Sequence, residues 1–72
     1  MVNDEQLEAR KKLGKQLRDA REKSGMTQAE VAEKAGVHVN FYARVERGEE
    51  NPSFDKLRNI LKALKIKTLE IS

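Results

Sequence analysis

The 72 residues carry a formal net charge of +3, with 38% charged and 38% hydrophobic residues, and this length fits one small domain. One histidine and no cysteine exclude a disulfide framework and a metal site built from His and Cys. No apolar run approaches membrane-spanning length and the N-terminus lacks an apolar signal-peptide core, so we expect a soluble cytoplasmic protein that does not bind membranes.

Charge is distributed unevenly along the chain. Residues 10–23 carry a net charge of +5 and residues 56–72 carry +4, whereas residues 24–48 are neutral and residues 1–9 and 49–55 carry −3 each. A basic surface attracts nucleic acid, but it is also typical of a soluble helical domain. Charge alone therefore leaves both interpretations open.

Residues 1–24 predict one long helix with Asn3 as a candidate N-cap. Apolar residues at helical spacing form its predicted buried stripe: Leu13, Leu17 and Ala20. Gly14 weakens a helix interior, so it either lets another helix approach closely or marks the true start of the helix. We expect residues 1–12 to be an N-terminal extension of the helix, and a frayed end is the alternative.

A helix-turn-helix pattern follows, from Thr27 to Gly48. Thr27 and Glu30 fit a T-x-x-E capping box, and Gly36 is placed to end the first helix in the left-handed conformation. A second short helix then begins near His38. Because the connecting turn is too short for an antiparallel layout, a sharp crossing of the helix-turn-helix type is favoured.

The second of these helices has two distinct faces. At about 100° per residue, His38, Tyr42 and Val45 project to one side. The other side carries residue types that read base edges, since asparagine pairs with adenine, arginine pairs with guanine and small apolar groups contact the thymine methyl. The base-reading candidates are Val39, Asn40, Ala43 and Arg44, with Arg47 on the same side and Phe41 at the border. An ordinary solvated helix face is the alternative interpretation.

A loop at residues 49–52 precedes the last predicted helix, for which Ser53 is a suitable N-cap. Its apolar positions predict the second wall of the core: Phe54, Leu57, Ile60, Leu61 and Leu64. The tail at residues 67–72 is ambiguous, because Thr68 fits the cap of a short helix whereas the apolar residues also fit an extended dimer contact. We favour a short helix or turn.

Several pieces of this sequence together resemble the Cro/C1-type helix-turn-helix family, which is also called XRE or phage-repressor-like. They occur in the family's order over about residues 13–66: Leu17 and Arg21 in the first helix, Met26-Thr27-Gln28, Ala32 and Gly36 in the second, Val45-Glu46-Arg47-Gly48 closing the third, Asn51-Pro52-Ser53 in the loop, and Leu57, Ile60 and Leu64 in the fourth. The resemblance implies an all-α, lambda-repressor-like DNA-binding domain of four or five helices, which makes residues 1–72 one domain.

The resemblance also implies roles for individual residues. Those expected to hold the DNA backbone are Thr27, Gln28, Arg21, Arg47 and Asn51. Arg21 and Glu46 match a partly buried salt bridge that joins the first helix to the third. His38 and Phe41 are possible further DNA contacts, with a structural role as the alternative for each.

Three residues depart from the family's pattern. Glu49 and Glu50 place two carboxylates where the resemblance implies phosphate contacts, which should weaken DNA binding in a salt-dependent way. Lys65 stands where the family usually has glycine, so the fourth helix is expected to end differently.

The predicted function is sequence-specific regulation of transcription by a repressor-type protein that reads the major groove with its third helix. The expected partners are palindromic double-stranded DNA and a second copy, in a weak homodimer formed through Leu64, Ile66, Leu69 and Ile71. The alternative is a helical protein-interaction module of the coactivator or antitoxin kind, supported by the acidic loop and the neutral segment 24–48. No catalytic residue, metal or cofactor is predicted, because the single histidine has no nucleophilic partner in the pattern.

Overall fold

The computed structural model describes residues 4–66, and it contains four helices and no strand in that range. Helix α1 spans Asp4–Lys23, α2 spans Gln28–Ala35, α3 spans Val39–Glu46 and α4 spans Phe54–Ala63. The predicted all-α fold is therefore confirmed. The Asn3 cap, the Thr68 cap and the tail at residues 67–72 lie outside the described residues.

The core is formed by side chains that all four helices contribute. Those with no exposed surface are Leu17 of α1, Val31 of α2, Tyr42 and Val45 of α3, and Ile60 of α4. Helix α2 packs against both α3 and α4, and α1 packs against α3. These short helices bury their apolar faces against one another, which offsets their marginal stability in isolation.

One predicted core residue, Phe54, is not buried. Its side chain is 78% exposed, whereas Ile60 and Leu64 of the same stripe are buried. Phe54 is the first residue of α4 and lies at the edge of the apolar stripe, so its side chain points away from the core. The prediction that Phe54 belongs to the core wall is wrong.

The helix starts follow the predicted capping signals. The Thr27 hydroxyl accepts a hydrogen bond from the Glu30 N–H at 3.1 Å, and the Glu30 carboxylate accepts one from the Thr27 N–H at 2.8 Å. His38 caps α3, because its Nδ1 accepts a hydrogen bond from the Asn40 N–H at 3.0 Å. Ser53 caps α4 in the same way through the Lys56 N–H. His38 is exposed in this capping role and does not share the buried environment of Tyr42.

Helix α4 ends in a left-handed residue although it lacks glycine there. Lys65 has φ 58°, the Ile66 N–H donates to the Leu61 carbonyl at 2.9 Å, and the Lys65 N–H donates to the Lys62 carbonyl at 3.0 Å. This is the hydrogen-bond pattern of a Schellman motif, which usually has glycine at the left-handed position. The expectation that the fourth helix ends differently at Lys65 is therefore wrong, since the backbone retains the left-handed ending typical of glycine.

Gly14 lies where α1 crosses the end of α3. A Cβ at this position would overlap the Glu46 carbonyl and lie 2.6 Å from the Val45 carbonyl oxygen. Since α1 already begins by Asp4, Gly14 does not mark the start of the helix. Of the two roles left open by the sequence, the structure supports the close approach of another helix.

Replacing Gly14 with Ala is therefore expected to destabilise the protein. In an unobstructed helix this change would stabilise by up to about 1 kcal/mol, but here the added methyl forces α1 and α3 apart, at about 1–3 kcal/mol. The measurement is the free energy of unfolding in urea, with Glu8→Ala on the exposed part of α1 as the control. A Gly14→Ala protein as stable as the parent would contradict the close packing of α1 on α3.

Candidate nucleic-acid interface

The predicted base-reading side of α3 faces away from the core. Asn40, Ala43, Arg44 and Arg47 line one open depression of about 270 Å³, and we call these four residues the outer face of α3. Val39, the first residue of the helix, is 37% exposed beside them. Tyr42 and Val45, on the opposite side, have no exposed surface. The outer face presents an amide and two guanidinium groups around a small methyl group.

An ion pair connects α1 to the end of α3. The Arg21 Nε donates to Glu46 Oε2 at 2.7 Å and Nη2 donates to Oε1 at 3.2 Å, so the pair has the bidentate geometry that makes such contacts strong. The side chains of Arg21 and Glu46 are 14% and 2% exposed. The pair lies directly behind the outer face, at the point where α3 ends.

Two further bonds tie α2 and its preceding turn to this ion pair. Gln28 Nε2 donates to Glu46 Oε1 at 2.9 Å, and Arg21 Nη1 donates to the Met26 carbonyl at 3.0 Å. Neither bond could be predicted from the sequence, since no local pattern relates Gln28 to a residue eighteen positions away. Together these contacts fix the N-terminus of α2 relative to the C-terminus of α3.

The pKa values of three groups in this network are shifted, and the hydrogen bond to Glu46 raises the pKa of Arg21. Burial alone would raise the pKa of Glu46, but the hydrogen bonds from Arg21 and Gln28 and the nearby Arg21 charge outweigh it and lower the pKa below its ordinary value. Burial raises the pKa of Tyr42, helped by the nearby Glu46 charge. Because the pKa of Glu46 is lowered by folding, its contribution to stability is present above about pH 4.5 and is lost as the pH falls through the folded-state value.

Apart from Arg21, the predicted backbone-contact residues lie at the start of α2, at the end of α3 and in the loop that follows α3. Gln28 is half-buried at the start of α2, and its Nε2 keeps a second N–H after donating to Glu46. Thr27 is exposed, and its hydroxyl accepts the capping bond from the Glu30 N–H. Arg47 and Asn51 are exposed at the end of α3 and in the following loop. Arg21 donates three of its five guanidinium N–H groups to Glu46 and Met26, and its contact with the DNA backbone stays a prediction.

The two acidic loop residues pair with the two arginines of the outer face. Arg47 Nε and Nη2 donate to the Glu49 carboxylate at 3.0 and 3.2 Å, and Arg44 Nε lies 3.7 Å from Glu50 Oε2. The bond from Arg47 lowers the pKa of Glu49, and the same contact raises the pKa of Arg47. The loop carboxylates therefore lie within the candidate interface.

Phe41 and His38 have structural contacts. Phe41 is half-buried and packs against the core, and the Lys56 ammonium lies 4.7 Å from the centre of its ring, a cation–π distance. The Nδ1 of His38 is occupied by its capping bond, which leaves Nε2 facing solvent.

Two of the four predicted dimer residues lie within the described part of the chain. Leu64 is 5% exposed and belongs to the core, so little of its side chain is left for a second subunit. Ile66 is half-buried against the same core. Leu69 and Ile71 lie outside the described residues.

Residues 4–66 contain neither a metal-ion cluster nor a membrane-spanning helix. In this range no three His, Asp or Glu side chains are arranged to hold a metal ion. Over the same range no helix is long and apolar enough to cross a membrane.

The fold and the outer face of α3 define a helix-turn-helix protein. Residues 17–71 match the model of the helix-turn-helix family, and the chain belongs to this family. This confirms the resemblance to the Cro/C1-type proteins. The family is not an enzyme family.

The chain is similar to one named transcriptional regulator and to one controller protein of known structure. It is 38% identical over 56 residues to the HTH-type transcriptional regulator ImmR of Bacillus subtilis (strain 168), a match that covers 78% of this chain and 44% of ImmR. The chain thus spans less than half the length of that relative. The crystal structure of the restriction-modification controller protein C.AhdI from Aeromonas hydrophila matches with a TM-score of 0.79 and 31% identity, over 81% of this chain and 88% of that one.

The Arg21–Glu46 pair should show strong energetic coupling. Breaking a pair this buried leaves an unpaired charge, at roughly 3–5 kcal/mol for one partner, so a double-mutant cycle of Arg21→Ala and Glu46→Ala in urea unfolding should be far from additive. The exposed Arg47–Glu49 pair serves as the control and should show much weaker coupling. Additive effects at Arg21 and Glu46 would show that the bidentate contact contributes no specific stability.

Proposed function

We propose that this chain binds duplex DNA in a sequence-specific way and regulates transcription. The observation that carries the proposal is the outer face of α3, where Asn40 and Arg44 lie one turn apart on an open surface. Asparagine can donate and accept bidentately at adenine, and arginine can donate bidentately to guanine O6 and N7. An α-helix fits the major groove of B-DNA, so α3 enters the groove with this face toward the bases.

Phosphate contacts flank this helix. The start of α2 presents the free amides of a helix N-terminus together with the Thr27 hydroxyl and the Gln28 amide, which suits an anionic phosphate. Arg47 and Asn51 lie at the other end of α3. Phosphate contacts hold the register of the protein, and base contacts select the sequence.

The comparisons support this function by analogy. ImmR is named a transcriptional regulator and C.AhdI a controller protein, and the chain is more than 30% identical to each. DNA binding by the same fold would place this chain in the compartment that holds the DNA, which is the cytoplasm in bacteria such as these. Repression is the mode we propose, as binding at an operator blocks access to it.

Asn40→Ala and Arg44→Ala should each cost about 1–3 kcal/mol on the preferred duplex and much less on random duplex, since they remove base contacts. The preferred duplex is obtained by selecting bound sequences from a random library with the parent chain. Affinity is then measured by gel shift or fluorescence anisotropy at fixed salt. Arg58→Ala, an exposed arginine of α4, is the matched control for a lost positive charge. Equal losses on both duplexes would remove Asn40 and Arg44 from the base-reading set.

We also propose that two copies bind a palindromic site. One small recognition helix makes few base contacts, and a two-fold dimer doubles them by placing two such helices about 34 Å apart, one turn of DNA. Support comes from the half-buried Ile66 at the end of the described chain and from the apolar residues Leu69 and Ile71 beyond it. Because Leu64 is largely committed to the core, and because Lys62 and Lys65 would approach their own copies, the dimer should be weak.

Sedimentation at several protein concentrations, with and without palindromic duplex, tests the dimer. The protein should be largely monomeric when dilute and should bind the palindrome as a pair. Ile66→Asp should weaken the pair on the palindrome while leaving single half-site affinity near that of the parent. A chain that stays monomeric at high concentration and binds half-sites as tightly as palindromes would contradict the proposal.

One observation favours a protein partner as the second candidate function. Phe54 is 78% exposed and follows the acidic loop directly, and aromatic residues are enriched in protein interfaces. The selection experiment separates the candidates, because an interaction module without DNA specificity would enrich no sequence from the library.

A further inference from the structure

The loop that carries Glu49 and Glu50 leaves α3 through a fixed turn. Gly48 is left-handed with φ 77°, its N–H donates to the Val45 carbonyl at 3.1 Å, and the Glu49 N–H donates to the Arg44 carbonyl at 2.8 Å. These bonds form a Schellman motif. A Cβ at Gly48 would lie 2.9 Å from Lys11 Cγ, so α1 also packs tightly against the turn. The backbone thus holds both carboxylates next to the arginines of the outer face.

The two carboxylates meet their arginines differently. Glu49 occupies both Nε and Nη2 of Arg47, which is an edge that a phosphate or a guanine would use. Glu50 approaches Arg44 on the Nε side, with Oε2 at 3.7 Å from Nε, which is an ion-pair distance and longer than a hydrogen bond. The outer edge of the Arg44 guanidinium, formed by Nη1 and Nη2, points away from this contact by the geometry of the group.

We infer that Glu50 is a specificity-determining positioning residue, which holds Arg44 for a guanine, whereas Glu49 competes with DNA for Arg47. The inference rests on the proposed DNA-binding function. An arginine in solution must lose side-chain freedom when it binds a base, and a carboxylate on its Nε side removes part of that freedom in advance. Guanine O6 and N7 then meet two N–H donors on the edge that remains open.

Glu49 lowers DNA affinity, in contrast to Glu50, which increases specificity. Its bidentate bond must break before Arg47 can use that edge for a phosphate, so Glu49 weakens binding to any duplex. Phosphate contacts carry no sequence information, so this cost is the same on preferred and random DNA. General repulsion of phosphate by acidic residues would treat the two carboxylates alike, because they are adjacent and carry the same charge.

The test compares Glu49→Gln with Glu50→Gln, since each removes one negative charge from neighbouring positions. Affinities are measured on three duplexes: the site selected by the parent chain, that site with its guanines replaced one at a time, and a random-sequence duplex. Glu33→Gln, on the exposed side of α2, is the control for charge alone. Unfolding of each variant in urea checks that the fold is unchanged.

Glu50→Gln should lower the ratio of preferred to random affinity by about three- to tenfold and relax the preference for guanine at one position. Glu49→Gln should increase the affinity for both duplexes by about two- to fivefold and leave the ratio of the two affinities unchanged. In an Arg44→Ala background, Glu50→Gln should no longer change the ratio. This last result is one that a purely structural role of Glu50 would not produce.

Several outcomes would overturn the inference. One is an equal gain in DNA affinity in both variants. Another is an unchanged ratio of preferred to random affinity in Glu50→Gln. The third is a decrease in that ratio that persists in the Arg44→Ala background. If the proposed DNA-binding function is wrong, the selection experiment gives a different result, because the parent chain itself would then select no sequence from the library. In that case the assigned role of Glu50 fails together with the function on which it rests.

Discussion

The ion pair between Arg21 and Glu46 is the contact on which the geometry of the candidate interface depends. Apolar contacts hold the helices together but are not directional, so they fix the position of α3 better than its rotation. The bidentate bonds from Arg21 and the bond from Gln28 to the same carboxylate are directional. They set which side of α3 turns outward and how far the start of α2 lies from it.

Such a pair is stable only because every charge in it is compensated. A nearly buried carboxylate would be costly without partners, since removal from water disfavours its charged form. Glu46 receives hydrogen bonds from two residues of other helices, and these outweigh burial in setting its pKa. The close approach at Gly14 brings the backbone of α1 against the end of α3 and so places Arg21, two turns later, within reach. Sequence-distant residues thus cooperate in one contact.

The parts of the fold that could be predicted from the sequence are those set by neighbours along the chain. The capping box of Thr27 and Glu30, the left-handed Gly36 and the two faces of α3 depend on spacing alone, and the structure shows all of them. The predicted buried stripe of α4 wrongly included Phe54, because helical spacing does not show which residues of the stripe the packed helices cover.

The candidate site was predictable to a smaller extent. The exposure of Asn40 and Arg44 follows from helical periodicity, and the pairing of Arg21 with Glu46 was accessible only through the family resemblance. The contact of Gln28 with Glu46 depends on how α2 crosses α3, which no local pattern encodes. The same holds for Glu49 and Glu50, which look alike in the sequence. The turn at Gly48 gives each its own arginine and its own geometry.

Local pairing also changes what the basic segment of α1 can do. Its charge looks like a nucleic-acid-binding surface in the sequence, but Lys15 pairs with Asp19 and Arg18 pairs with Glu22, each at helical i, i+4 spacing. Arg21 is likewise bound to Glu46. Paired cations release fewer counterions on meeting phosphate than free ones, so they contribute less to sequence-independent affinity. At least three of the seven cations in residues 10–23 are paired in this way. Under the proposed function, more of the DNA affinity therefore has to come from α3 and its flanking residues.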